Sequence, residues 1–218
     1  LIKGTLILTA AGFAARLLGF FNRVYLANLI SNAELGRYQL IFPIFMFCMA
    51  VSCAGIQVAV SKMVAAYHGT GKKKAIRQTI KSAGIMSLIV ALLSSGCVIA
   101  FSEPISRWIL KDISCRGYLV IMAIAIPFAA VHTCVGGYFY GIRHTAVPAV
   151  TQLLEQVVRV VTIYLLGAMM YQKGKIDASA AVWGLAAGEI FSCFLTWICY
   201  RFSIRSQNGV SGSGEPIR

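Results

Sequence analysis

Five charged residues lie inside stretches of the sequence that are otherwise strongly apolar. Arg16 and Arg23 interrupt the first stretch, Glu155 and Arg159 interrupt the fifth, and Glu189 interrupts the sixth. At the depth of a bilayer, an ionised side chain costs about 3 kcal/mol or more unless it faces protein or a water-filled cavity. Such residues therefore either line a path through the protein or form structural ion pairs.

The first group of charges lies on one face of a predicted helix. Gly12, Arg16, Gly19 and Arg23 follow one another at intervals of four, three and four residues, the repeat of an α-helix. We expect the glycines to let a neighbouring helix approach closely, and the arginines to point into the bundle or a cavity.

A second polar stripe lies on the fifth stretch and consists of Gln152, Glu155, Gln156 and Arg159. Glu155 and Arg159 are four residues apart with the acid first, which is the favourable order for a helical ion pair. Two interpretations stay open, a cavity lining and a purely structural pair.

The composition indicates an integral membrane protein. Hydrophobic residues make up 58% of the 218 positions and charged residues only 12%, whereas a soluble domain carries about 25% charged residues. Six apolar stretches are each close to the roughly 20 residues that span a bilayer. The sequence therefore predicts an all-α bundle of six transmembrane helices in residues 1–201, followed by a polar and disordered tail in residues 202–218. The predicted spans are residues 4–30, 38–66, 82–102, 118–141, 147–171 and 178–200.

The Lys and Arg residues outside the spans predict the orientation. One side of the membrane receives eleven basic residues, which are Lys3, Lys62, Lys72, Lys73, Lys74, Arg77, Lys81, Arg143, Arg201, Arg205 and Arg218. The opposite side receives fewer, so both termini are predicted to be cytoplasmic. The basic stretch of residues 72–81 (KKKAIRQTIK) is interpreted as a solvated loop, with an interfacial helix that holds anionic lipid headgroups as the alternative.

In this topology Arg16, Arg159 and Glu189 lie near the middle of the bilayer, with His132 of the fourth span at the same level. Glu155 lies one turn nearer the cytoplasm, and Arg23 lies closer to the outside. Arg16, Arg23 and Arg159 against Glu155 and Glu189 give one net positive charge. A slightly positive cavity suits an anionic ligand such as a lipid-linked phosphate or pyrophosphate, which arginine binds with two parallel hydrogen bonds. His132 is interpreted as a buried histidine with satisfied hydrogen bonds, and a proton relay is the alternative.

Other functions have little support in the sequence. The formal charge of +13 lies beside apolar spans, which disfavours nucleic-acid binding. A Gly-rich phosphate loop, an HExxH motif and a Ser-His-Asp set that could be placed are all missing, so we expect neither an enzyme nor a bound cofactor. The seven cysteines form no CxxC pair, and neither a disulfide framework nor a metal site is expected from their spacing.

Several segments together resemble the family of stage V sporulation protein B and the lipid II flippases. This family is the polysaccharide-transporter branch of the multidrug/oligosaccharidyl-lipid/polysaccharide (MOP) exporter superfamily. The resemblance covers residues 3–200, and it is carried by residues 3–6 (KGTL), 16–28 (RLLGFFNRVYLAN), 61–65 (SKMVA), 137–141 (GYFYG) and 148–159 (PAVTQLLEQVVR).

The resemblance implies a flippase of the bacterial plasma membrane. Its substrate would be an undecaprenyl-pyrophosphate-linked saccharide, such as a cell-wall or spore-cortex precursor or a polysaccharide unit. Arginines of the first helix face the cavity in such flippases, which implies a phosphate-binding role for Arg16 and Arg23. Val24 departs from the acid that the lipid II flippases usually carry at this point, and the two arginines are one residue farther apart than in those proteins.

Family members have two lobes of six helices, and this chain resembles the first lobe only. The resemblance therefore also implies a second six-helix lobe as a partner. Two alternatives to the flippase remain, a multidrug-type exporter coupled to an ion gradient and a non-transporting scaffold of envelope synthesis.

Overall fold

The structure is a computed structural model that describes residues 2–172 and 177–210. Within these ranges the regular elements are helices, and strands are absent. The helices are α1 (Ile2–Leu29), α2 (Asn32–Met49), α3 (Gly55–Gly69), α4 (Lys73–Ala100), the short α5 (Ser102–Pro104), α6 (Cys115–Gly141), α7 (Ala146–Gln172) and α8 (Ser179–Val210). This confirms the predicted all-α class.

A π-helical turn over Ala50–Ala54 joins α2 and α3 into one continuous helical segment, so the chain contains six long segments in its described ranges. Five of the six are long and apolar enough to cross a membrane by length and composition. They are Asn32–Gly69, Lys73–Ala100, Cys115–Gly141, Ala146–Tyr171 and Ser179–Arg205. The remaining segment is α1, which carries Arg16 and Arg23.

Several predicted boundaries are wrong. α2 begins at Asn32 rather than at residue 38, because the Ser31 hydroxyl accepts a hydrogen bond from the backbone N–H of Glu34 and caps the helix there. α4 begins at Lys73 rather than at residue 82, so the basic stretch predicted as a loop forms the first turns of a helix. α8 continues to Val210, so residues 202–210 are helical and not a disordered tail. Residues 211–218 lie outside the described residues.

The contacts between helices show that successive segments alternate in direction. α1 and α7 run parallel, since Tyr25 lies against Tyr164 and Leu29 packs over Gly167. α7 and α8 run antiparallel, since Gly184 lies beside Ile163 and Gly188 lies beside Glu155. The beginning of α1 and the end of α8 are therefore at the same end of the bundle, in keeping with the predicted common side of the termini.

α6 is the central helix of the bundle. Fifteen of its residues are buried, and the helix continues through Pro127. It packs in parallel against α3, where Gly137 and Gly141 leave room for the backbone and side chains of that helix. Against α4 it packs antiparallel, where Ser95 donates a hydrogen bond of 2.7 Å to the carbonyl of Ala123. α6 thus carries its central residues into the interior of the lobe.

Candidate functional site

A buried ion-pair network joins α7 to α8. Nη2 of Arg159 donates hydrogen bonds to Oε1 of Glu155 at 2.8 Å and to Oε1 of Glu189 at 3.2 Å. All three side chains are at most 13% exposed. The predicted pair of Glu155 and Arg159 is therefore formed, and Glu189 of the neighbouring helix shares the same guanidinium.

His132 extends this network to α6. Its Nε2 lies 3.0 Å from Oε2 of Glu189, and its Nδ1 lies 3.4 Å from the hydroxyl of Ser192. Both ring nitrogens thus have partners, as expected of a satisfied histidine. The buried cluster, defined here as His132, Glu155, Arg159 and Glu189, connects three helices near their centres.

Two glycines of α8 allow the cluster to form. A Cβ atom added to Gly184 would lie against the side chain of Ile163 and 3.1 Å from the carbonyl oxygen of Arg159. A Cβ atom at Gly188 would lie 3.2 Å from the carbonyl oxygen of Glu155. The two helices can come this close only without side chains at these positions, and Glu189 follows directly after the second glycine.

The charge of the buried cluster depends on His132. Two carboxylates and one guanidinium give one net negative charge when His132 is neutral, and none when it is protonated. One donor atom from each of His132, Glu155 and Glu189 lies within 4.8 Å of the others. These groups are close enough to share one cation, and the guanidinium of Arg159 already takes that role for the two carboxylates.

A polar cavity of about 290 Å³ adjoins the buried cluster. Its wall includes His132, Glu155 and Ser192, together with Gln57, Thr133, Tyr140, Thr151, Gln152 and Thr196. Gln152 is exposed, so the cavity reaches the surface of the lobe on that side. Gln156, the other predicted glutamine, is partly buried.

The two arginines of α1 are separate from the buried cluster. Arg16 and Arg23 are both exposed, and they take part in no ion pair within the part of the chain that the structure describes. The expected close approach of another helix at Gly12 and Gly19 is wrong, because an added Cβ would meet nothing within 4 Å at either position. This face of α1 is open in the lobe.

A second cavity, of about 470 Å³, lies between α1 and α2 and contains Arg23 in its wall. Tyr38, Gln39 and Phe42 of α2 form the opposite side. Tyr38 interacts electrostatically with Arg23 and also with Arg159 of the buried cluster. Tyr38 and Gln39 could not be predicted from the sequence, because a tyrosine and a glutamine at the start of an apolar helix carry no distinctive spacing.

A polar cluster that no sequence pattern predicted lies at the end of the bundle opposite the beginning of α1 and the end of α8. Glu34 pairs with Arg37, accepts a 2.8 Å hydrogen bond from the hydroxyl of Tyr118, and accepts one of 2.9 Å from the backbone N–H of Ala178. Nε of Arg37 donates a 2.7 Å hydrogen bond to Asp112, and this bond lowers the pKa of Asp112. The contacts join the beginnings of α2, α6 and α8, and they are structural in character.

The chain is similar to known proteins of one family. The model of the family described as "Polysaccharide biosynthesis protein" matches residues 1–214. The chain is 28% identical over 202 residues to stage V sporulation protein B of Bacillus subtilis (strain 168), covering 92% of this chain and 39% of the relative. It is 25% identical over 181 residues to the lipid II flippase MurJ of the same organism, covering 77% of this chain and 32% of the relative. The chain thus spans about two fifths of the length of these curated relatives or less.

The fold is also that of a solved transporter. The structure matches an outward-facing multidrug resistance transporter of the MATE family, within the MOP superfamily, with a TM-score of 0.69 and 14% sequence identity. The match covers 89% of this chain and 43% of that one. Together with the apolar helices, these matches identify a multi-pass protein of the bacterial plasma membrane. The chain belongs to the polysaccharide biosynthesis protein family.

Proposed function

We propose that the chain is one lobe of a flippase that moves an undecaprenyl-pyrophosphate-linked saccharide from the cytoplasmic to the outer leaflet. Family membership and the printed function of one relative, a lipid II flippase, support the class of transport. Because the chain spans less than half of its relatives, a second six-helix lobe would supply the other wall of the path.

The observation that carries this proposal is the state of the two α1 arginines. Arg16 and Arg23 lie on an exposed face of a helix rich in apolar residues, and among the described residues no acid neutralises them. At the bilayer depth predicted from the sequence, two uncompensated guanidinium groups call for an anionic ligand or water beside them. A pyrophosphate offers several oxygens to such a pair, and an arginine can bind two of them at once.

The buried acids are partners of another arginine. Glu155 and Glu189 both form ion pairs with Arg159 of the bundle interior. The buried acids therefore have their cationic partner within the cluster, and the α1 arginines are left available to a ligand. Arg23, which shares a cavity with Tyr38 and Gln39, would contact the phosphate groups beside side chains able to bind sugar hydroxyls.

The test is lipid binding by the chain in nanodiscs, measured by native mass spectrometry with a polyprenyl pyrophosphate and with the uncharged polyprenol. A charge-assisted hydrogen bond contributes about 1.5–3 kcal/mol. Arg16→Ala and Arg23→Ala should each weaken pyrophosphate binding about 10- to 100-fold and leave polyprenol binding unchanged. Arg→Lys should restore only part of the affinity, because lysine lacks the planar two-bond geometry.

The matched control is Arg107→Ala, which removes one positive charge from a surface pair with Glu103. This variant should bind like the parent chain. Equal binding by the parent, Arg16→Ala and Arg23→Ala would contradict the phosphate-binding role. If the chain binds a cationic drug more tightly than the pyrophosphate, the multidrug-type exporter is favoured. If the chain binds none of these ligands, the scaffold is favoured.

A further inference from the structure

The buried cluster is short of one positive charge. Arg159 is shared by two carboxylates that are each at most 10% exposed, so one negative charge stays uncompensated whenever His132 is neutral. An uncompensated charge in a low-dielectric interior is costly, and the usual remedy is that the group binds a proton. His132 has the position to accept that proton, because its Nε2 already lies 3.0 Å from Oε2 of Glu189.

The thiols and phenols around the cluster cannot supply this charge near neutral pH. Among the described residues, these groups are the thiols of Cys53, Cys134 and Cys193 and the phenols of Tyr38 and Tyr140. Thiols and phenols ordinarily ionise only above about pH 8 and pH 10. Arg159 keeps its charge throughout this range, so the balance depends on His132 and the two carboxylates.

The polar cavity gives a proton a way in. The side chain of His132 is 20% exposed, and the histidine lies on the cavity wall together with Ser192 and Thr196. Thr196 is 2% exposed, and its hydroxyl has no hydrogen-bond partner within the protein. A buried hydroxyl without a partner at the wall of a polar cavity marks a position for water. At about 30 Å³ per molecule, a cavity of about 290 Å³ holds several waters.

We propose that the buried cluster of His132, Glu155, Arg159 and Glu189 is a binding site for one proton, held on His132. In the neutral histidine, Nε2–H donates to Glu189 and Nδ1 accepts from the Ser192 hydroxyl. A proton from cavity water then adds to Nδ1, and Ser192 turns from donor to acceptor. The cluster thereby gains one positive charge and becomes neutral, while the water that gave the proton is left as hydroxide or regains a proton from bulk water.

The consequence for transport rests on the proposed function. The protonated histidine binds Glu189 of α8 through a charge-assisted hydrogen bond, and release of the proton weakens that tie and leaves a negative charge inside the lobe. Proton binding and release would thus change how firmly α6 is held to α8. The cluster would be where a proton enters and leaves during the transport cycle.

The test reads the histidine directly in the whole chain, in nanodiscs, by ¹⁵N nuclear magnetic resonance of labelled imidazoles. His68 and His144 are both exposed, and replacing them by glutamine leaves His132 as the remaining histidine of the three. We expect this histidine to change between the neutral and doubly protonated forms as the pH is varied from 8 to 5. A single protonation state throughout that range would overturn the proposal.

Two charge variants and one control sharpen the result. Glu189→Gln removes the negative charge nearest His132 and should weaken proton binding about 10- to 1,000-fold. Glu155→Gln makes the same change in net charge at a carboxylate that is not itself hydrogen-bonded to the histidine, although both groups contact Ser192. It should act in the same direction if Glu189→Gln fails to fold. Glu103→Gln, at a surface ion pair, should leave the titration unchanged. If His132 binds a proton as tightly in Glu189→Gln and Glu155→Gln as in the parent chain, the proposed proton site is also wrong.

This titration needs no transport or lipid binding, so the two proposals can fail separately. If His132 titrates but replacing Arg16 and Arg23 does not change lipid binding, the proton site is supported and the phosphate-binding role is wrong. If His132 does not titrate but pyrophosphate binding depends on those arginines, the phosphate-binding role is supported and the proton site is wrong.

Discussion

Arg159 decides how the charges inside the lobe are balanced. Its guanidinium is the shared partner of Glu155 and Glu189, and Glu189 in turn holds His132. Each member of the cluster therefore depends on the others. Such a network is stable when it is complete, and leaves buried charges unsatisfied when one member is removed.

Arg159→Leu should destabilise the protein strongly. The substitution leaves two carboxylates in the interior without a cationic partner, and breaking a buried pair in this way typically costs about 3–5 kcal/mol. Thermal unfolding in detergent, monitored by circular dichroism, measures the effect. Arg107→Ala is the control, since its surface pair is worth less than about 1 kcal/mol. Similar melting temperatures for the two variants would show that the ion pairs of Arg159 do not stabilise the fold.

The link between Arg37 and Asp112 predicts a particular dependence of stability on pH. Because the folded state lowers the pKa of Asp112, chiefly through the hydrogen bond from Arg37, ionised Asp112 stabilises the fold above its ordinary pKa of about 3.9. That contribution is lost as the pH falls through the lowered value. The stability difference between the parent and Asp112→Asn should therefore be constant from pH 7 to pH 5 and shrink at lower pH. Chemical unfolding at several pH values measures it, and a difference independent of pH would refute the link.

Some of these residues could be predicted from the sequence, and others could not. The pair of Glu155 and Arg159 follows from helical spacing alone, since both partners lie on one helix. The sharing of Arg159 with Glu189, and of Glu189 with His132, depends on how three helices pack and has no signature in sequence spacing. The five charges do not form one network, because Arg16 and Arg23 are exposed and pair with no acid among the described residues.

At the scale of helices, the close contact of α7 and α8 places the buried cluster. Gly184 and Gly188 have the GxxxG spacing of a common helix-packing motif, and the backbone of α7 lies against both. Helix boundaries were harder to predict. The cap at Ser31 and the basic start of α4 extend helices beyond their apolar cores, and apolar runs alone do not reveal such polar turns.

Gly184→Ala should push α8 away from α7. The added methyl group would meet Ile163 and the backbone of Arg159, and overpacking of this kind costs about 1–3 kcal/mol. Thermal unfolding measures the loss. Gly96→Ala is the matched control, because a Cβ at that helical position meets nothing within 4 Å and should change stability by less than about 1 kcal/mol. An unchanged melting temperature in Gly184→Ala would show that the two helices do not need the glycine.

At the scale of the whole molecule, the acids in the interior are paired with an arginine, and the arginines on the exposed face of α1 are paired with no acid among the described residues. The buried acids are occupied by Arg159, whereas α1 presents Arg16, Arg23 and several large apolar side chains on an exposed surface. The fold class, the alternating direction of six segments and the family could all be predicted from apolar runs and local motifs. The sidedness of the ends, with both termini in the cytoplasm, stays a prediction from the loop charges.

The central claim is that the α1 arginines serve the movement of a lipid-linked pyrophosphate. The most direct measurement is translocation of a fluorescent polyprenyl-pyrophosphate saccharide between the leaflets of proteoliposomes, by a two-lobed relative in which this chain replaces the corresponding lobe. Arg16→Ala and Arg23→Ala should each reduce the translocation rate at least about tenfold, the effect of losing about 1.4 kcal/mol of binding, while protein amount and melting temperature stay those of the parent. Full translocation by both variants would contradict the account and leave the arginines of α1 with a structural role.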